Sequence, residues 1–176
     1  GLPGAHALVI GIARYQRARA LRATDDARDV AAALVDPAGA GYPPGQVHVL
    51  LEDAATRAAI LAALDDLARA VGPGSTVLVY YSGHGAYASR DGGAYYTLPV
   101  DGDDSSRDAL ERTAISSATL SARLAAIGAA RLTVILEDCR DRSMGGHDSL
   151  SVSMNGTPSR RASLLPVRVC RLPAHR

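Results

Sequence analysis

Four short apolar runs punctuate the chain, and the segments between them carry helix signals. The runs are residues 6–12 (HALVIGI), 47–51 (VHVLL), 76–82 (TVLVYYS) and 132–137 (LTVILE). Apolar stretches this short and continuous predict strands buried on both faces, as in a mostly parallel sheet. After the first run, TDDARDVAAALV at 24–35 predicts a helix: Thr24 is placed to cap it, and Asp25 and Asp26 sit where the helix dipole favours anions. The breaker-rich PAGAGYPPG (37–45) separates that helix from the second run. A second helix, from about Thr56, places Ile60, Leu64, Leu67 and Val71 on one face, and Gly72, Pro73 and Gly74 stop it. A third, SATLSARLAAIG (117–128), precedes the fourth run. The segment 91–108 (DGGAYYTLPVDGDDSSRD) is too long and irregular for a simple crossover, and a small hairpin over Tyr95 to Leu98 is expected near the sheet edge.

Alternation of strand and helix predicts an α/β fold, a mostly parallel sheet with helices on both faces and right-handed crossovers. Ligands bind such sheets beyond the carboxyl ends of the strands. The third run ends in YYSGHGAY and the fourth in VILEDCRD, so His84 and Cys139 both fall at that edge. A thiol there has access to substrate and a neighbouring base to favour thiolate. Gly83 and Gly85 flank the histidine, which is expected to leave its surroundings open and let a backbone N–H approach a substrate carbonyl. The N–H groups of Gly85 and Cys139 are the candidate oxyanion donors. Taken singly, a strand-end histidine is more often a structural hydrogen-bonder and a buried cysteine a small core hydrophobe. Their joint placement at neighbouring strand ends favours a catalytic pair.

The pieces HALVIGI, TDDARDV, VLVYYSGHG, YYTLPVD, TAIS (113–116) and VILEDCRD, in that order over about residues 5–142, resemble the caspase-like cysteine peptidases, in particular bacterial metacaspase-like or orthocaspase domains. Cys139 follows His84 by 55 positions, against about 50 in the caspase pattern. The resemblance implies a three-layer caspase-like sandwich in which Cys139 attacks the scissile carbonyl, His84 assists proton transfer to the leaving amine, and water releases the acyl-enzyme. It further implies that Asp26 and Glu137 shape an acidic specificity pocket. Two carboxylates would bind a guanidinium or ammonium, so cleavage after Arg or Lys is expected. The plainer roles are a helix-dipole partner for Asp25 and Asp26 and a solvated strand-end charge for Glu137. Glu137 stands where the family more often has Asp, and Asp138 directly precedes the candidate nucleophile. The acidic run Asp101, Asp103, Asp104 and Asp108 raises calcium as a weak candidate, since some relatives use an acidic loop; its spacing is not that of an EF-hand, and a solvated loop is the alternative. Competing readings are a caspase-like interaction module without catalysis, and a separase- or clostripain-like peptidase of other specificity.

Composition adds boundaries. A chain of 176 residues, 47% hydrophobic and 21% charged, suits one soluble domain. No run is long enough to cross a bilayer and no leader pattern is visible, so a cytoplasmic protein without membrane contact is expected. Residues 1–148 contain all 18 acids and 14 Arg, whereas 149–176 contain 5 Arg and no acid. This divides the chain into a catalytic domain, 1–148, and an atypical basic tail, 149–176. Without aromatic platforms or a reader helix the tail does not argue for nucleic acid; the expected partner is a protein or peptide substrate. Two cysteines, Cys139 and Cys170, exclude a disulfide framework, and Cys170 is read as incidental. In the tail only LLPVRV suggests a strand. The C-terminal part is therefore expected to be shortened, leaving the edge of the fourth run without a partner and open to dimerisation or to a missing second subunit. Smaller features are Arg140, Arg142 and Arg160-Arg161 as conceivable self-processing sites, Asn155-Gly156-Thr157 as a turn, and His147 as a stray neighbour of the site.

Overall fold

The computed structural model describes residues 2, 4–21, 25–88, 94–138 and 148–155, with Asp138 and residues 148–155 described by their backbone. In chain order the elements are β1 (Ala5–Gly11), α1 (Asp25–Val35), β2 (Val47–Leu51), α2 (Arg57–Ala70), β3 (Thr76–Gly83), β4 (Gly85–Tyr87), β5 (Tyr95–Thr97), α3 (Arg107–Thr113), β6 (Ile115–Ser116), α4 (Ser117–Ala125), β7 (Arg131–Asp138) and β8 (Asp148–Asn155). The main sheet runs β2-β1-β3-β7-β8. Its first four strands are parallel and are the four apolar runs of the sequence; β8 is antiparallel to β7.

Side-chain alternation divides the core between two faces. Leu8 and Ile10 of β1, Val77, Val79 and Tyr81 of β3, and Leu132, Val134 and Leu136 of β7 pack with Ile60, Leu64 and Leu67 of α2 and Leu120 and Leu124 of α4. Ala5, Ala7 and Val9, with Tyr80, pack on the opposite face against Ala27 and Leu34 of α1. Helices thus cover both faces, giving three layers. Leu8 and Leu64 are essentially inaccessible; each such burial is worth about 1.5–3 kcal/mol.

Local signals start the helices as the sequence suggests. The Thr56 hydroxyl accepts the Ala59 N–H at 3.2 Å, and Ser106 and Ser116 cap α3 and α4 in the same way. Thr24, expected to cap α1, lies outside the described residues.

Three expectations are corrected. Tyr95–Thr97 is not a self-contained hairpin: it is the central strand of a small antiparallel sheet, β4-β5-β6, because the chain resumes extended structure directly after His84. The acidic stretch leads into a helix, α3, started by Ser106. The edge of β7 is paired, by β8, which runs from Asp148 into the segment read as an atypical tail. The register pairs Leu150, Val152 and Met154 with Leu136, Val134 and Leu132, so the apolar positions of DSLSVSMN fall in step with buried positions of β7.

Candidate functional site

β3 and β7 are adjacent and in parallel register to their ends, where the last pair is Gly83 with Asp138. These two residues immediately precede His84 and Cys139 in the sequence. Cys139 lies outside the described residues, as do Arg140, Arg142, His147, Arg160, Arg161 and Cys170.

His84 is anchored through its backbone and its ring. Its carbonyl accepts the Leu98 N–H at 2.9 Å, half of an antiparallel rung. In the other half, two tyrosine hydroxyls stand where a direct bond would be. The His84 N–H donates to the Tyr15 hydroxyl at 2.6 Å, and the Tyr81 hydroxyl lies 2.7 Å from both the Leu98 and His84 carbonyl oxygens. The two hydroxyls are 3.5 Å apart. The Tyr15 ring also packs on the imidazole, with centroids 4.8 Å apart.

This arrangement requires Gly83. A Cβ there would stand 2.5 Å from both hydroxyls, a distance that forces displacement of neighbours and costs about 1–3 kcal/mol. Beside Gly85 the corresponding space is filled by the Tyr95 phenol. The expectation that the two glycines leave the histidine's surroundings open is therefore corrected: their missing side chains admit tyrosines. Since His84 and Leu98 form a hydrogen-bonded rung, ladder alternation turns the Gly85 N–H away from β5.

The imidazole Nε2 lies 2.6 Å from the Arg19 carbonyl oxygen. A carbonyl only accepts, so Nε2 carries the proton, and in the neutral ring Nδ1 is the basic nitrogen. Arg19 is held by a loop pinned at several points. Leu21 N–H bonds to the Ala13 carbonyl at 2.7 Å, Gln16 N–H to Val100 at 3.0 Å, and the Glu52 carboxylate accepts from Ala13 and Arg14 N–H at 3.2 and 3.0 Å. Glu52 adopts φ 50°, a left-handed conformation uncommon outside glycine, at the end of β2.

Glu137 accepts a 2.5 Å hydrogen bond from the Tyr80 hydroxyl. Burial, then the adjacent Glu137 and the nearby Asp26 charge, push the Tyr80 phenol well above its ordinary range, with Ser82 opposing through a hydrogen bond. Glu137 and Asp26, far apart in sequence, thus both act on one hydroxyl on the α1 side of the sheet. Of the calcium candidates, the Asp101 carboxylate accepts the Arg57 N–H at 2.8 Å at the start of α2, and the Asp103 carboxylate accepts the Ser105 N–H at 2.9 Å; the Ser105 side chain, and after it this N–H, lower the Asp103 pKa. Asp104 is exposed. Among the described residues no group of three or more His, Cys, Asp or Glu side chains could hold a metal ion.

Sequence reasoning missed Tyr15, Tyr80, Tyr81, Glu52 and the Arg19 carbonyl. The tyrosines sit inside the motifs quoted above or just beyond them, but their partners come from other strands. A backbone carbonyl leaves no mark in a sequence.

The layering and the strand-end histidine define a caspase-like α/β protein. The chain belongs to the caspase domain family, whose model matches residues 5–167 and so extends well past the last quoted motif. No curated protein matches it. Among solved structures it is similar to protein GSU0716 from Geobacter sulfurreducens, at 26% identity and TM-score 0.61; the similarity covers 78% of this chain and 51% of that one. The chain therefore spans about half the length of that relative. Among the described residues no helix is long and apolar enough to cross a membrane.

Proposed function

We propose that this chain is the catalytic part of a cysteine endopeptidase that cleaves proteins or peptides after Arg or Lys, with Cys139 as nucleophile and His84 as its acid–base partner. One observation carries the reading: the register that ends at Gly83 and Asp138, the residues directly before that pair. Membership of the caspase domain family supports the reaction class.

In this mechanism the Arg19 carbonyl keeps the proton on Nε2, so Nδ1 accepts the thiol proton as sulfur attacks the scissile carbonyl carbon. The Gly85 and Cys139 N–H groups receive the developing oxyanion, each donor worth about 3 kcal/mol. Nδ1 then delivers its proton to the leaving amine, and water hydrolyses the thioester. Asp26 and Glu137 bind the cationic side chain preceding the cleaved bond through charge-assisted hydrogen bonds.

The test is turnover of fluorogenic Arg, Lys and Asp peptides by the chain and by Cys139→Ala, with and without calcium. Arg- and Lys-directed turnover lost in Cys139→Ala is the expected outcome. Preference for Asp would overturn the specificity, and equal turnover by the variant would overturn the nucleophile. Absence of turnover in a folded chain would favour the interaction module.

A further inference from the structure

Tyr80 is 3% exposed and lies on the face that α1 covers, yet its hydroxyl is not turned to a nearby backbone carbonyl. It donates to Glu137 Oε2 at 2.5 Å. Ser82, 2% exposed, is the next residue on the same face of β3, and the Asp26 charge acts on that hydroxyl from the first turn of α1. One phenol on β3 therefore bonds to an acid on β7 and feels the charge of an acid on α1. A buried tyrosine needs one acceptor, and a neutral one would suffice. A carboxylate acceptor has a further effect: it removes the freedom of a long, flexible glutamate side chain.

We propose that Tyr80 is a specificity-determining positioning residue, whose buried hydroxyl holds the Glu137 carboxylate beside Asp26 so that the two acids meet the substrate cation as one preformed site. This rests on the Arg/Lys reading above and deepens it. With Oε2 engaged by Tyr80, Oε1 is the oxygen presented to substrate. Two-oxygen capture of a guanidinium by Glu137 alone is disfavoured, and the cation bridges from Glu137 Oε1 to Asp26. A planar guanidinium spreads its donors across such a gap, whereas an ammonium is a point charge. Arg is thus favoured over Lys, and the preference depends on the Tyr80 hydroxyl.

Tyr80→Phe deletes that hydroxyl and keeps the ring. Binding of N-acetyl-argininamide and N-acetyl-lysinamide is measured by calorimetry in a Cys139→Ala background, so that no turnover is needed, and the same substitution is assayed in the active chain. The expected result is about tenfold weaker argininamide binding, the effect of losing a hydrogen bond to a charged group, with a smaller loss for lysinamide. In the active chain KM for Arg peptides rises in step, while kcat and the rate of Cys139 alkylation by iodoacetamide stay within about twofold. In a Glu137→Gln background, Tyr80→Phe has no additional effect on binding, because the hydroxyl acts through the Glu137 charge.

A measurement that leaves Tyr80 unchanged guards against misfolding of the variant. The Tyr80 Cζ resonance of tyrosine-labelled Cys139→Ala protein shifts on adding argininamide and does not shift once Glu137→Gln is introduced. Unaltered argininamide binding in folded Tyr80→Phe, equal losses for both amides, a fall in kcat alone, or an additive effect with Glu137→Gln would each overturn the assignment while leaving the cationic pocket standing. Failure of the Cys139→Ala chain to bind either amide would sink both.

Discussion

At His84 a pair of tyrosine hydroxyls has replaced half of a ladder rung, and this substitution ties the orientation of the ring to a different part of the chain. Tyr15 contacts the residue twice, by accepting its N–H and by packing on its imidazole. Tyr15→Phe preserves most of the packing and leaves the part-buried N–H without that acceptor, a change of about 1–3 kcal/mol. If that cost is felt at the imidazole, kcat falls by about tenfold or more while KM for Arg peptides changes little. A KM effect alone would place Tyr15 with the substrate pocket instead. The acids divide differently: Glu137 is tied directly to Tyr80, whereas Asp26 acts on it through its charge.

At the level of elements, the legible parts were those whose signal is local. The four parallel strands announced themselves as short apolar runs, and α2 by Thr56 and its spaced aliphatics. The breaks followed equally local causes. A run of aspartates hid α3, because a seven-residue helix has only two buried positions, Ala109 and Leu110, to mark it. β8 carried a clean alternation, but the shift to an acid-free composition drew the domain boundary across it at residue 149. Register gives a sharp test of that strand. Val152→Asp puts an acid in register with Val134, a core residue, and is expected to cost at least about 2 kcal/mol. Ser151→Asp, one residue away and opposite Ile135, is expected to cost much less. Denaturant midpoints of the two variants would tell them apart, and equal values would reject the register.

For the whole molecule, buried phenols set an alkaline limit. Burial raises the pKa of Tyr42, and burial with the neighbouring acids raises that of Tyr80. Above the ordinary value of 10.0, an unfolded chain loses these protons while the folded one retains them, so the folded state binds more protons and stability falls as pH rises. Below that value both states are protonated and the two groups contribute no slope. Thermal melts from pH 8 to 11 should show the decline beginning near 10, and Tyr80→Phe should flatten it; an unchanged slope would mean the phenol ionises in the folded state. The candidate site has the same collective character. Its parts come from the loop after β1, the end of β2, the first turn of α1, and the ends of β3 and β7. The motifs name the histidine and the cysteine as candidates, but the loop that holds the histidine ring leaves no such mark, since its contribution is an oxygen of the Arg19 main chain. That has an evolutionary consequence: a substitution at position 19 leaves this oxygen in place, whatever it does to the side chain's own contacts. Gaining or losing a single residue between Ala13 and Leu21 would carry the oxygen away, so the support of the histidine ring depends on the length of the loop.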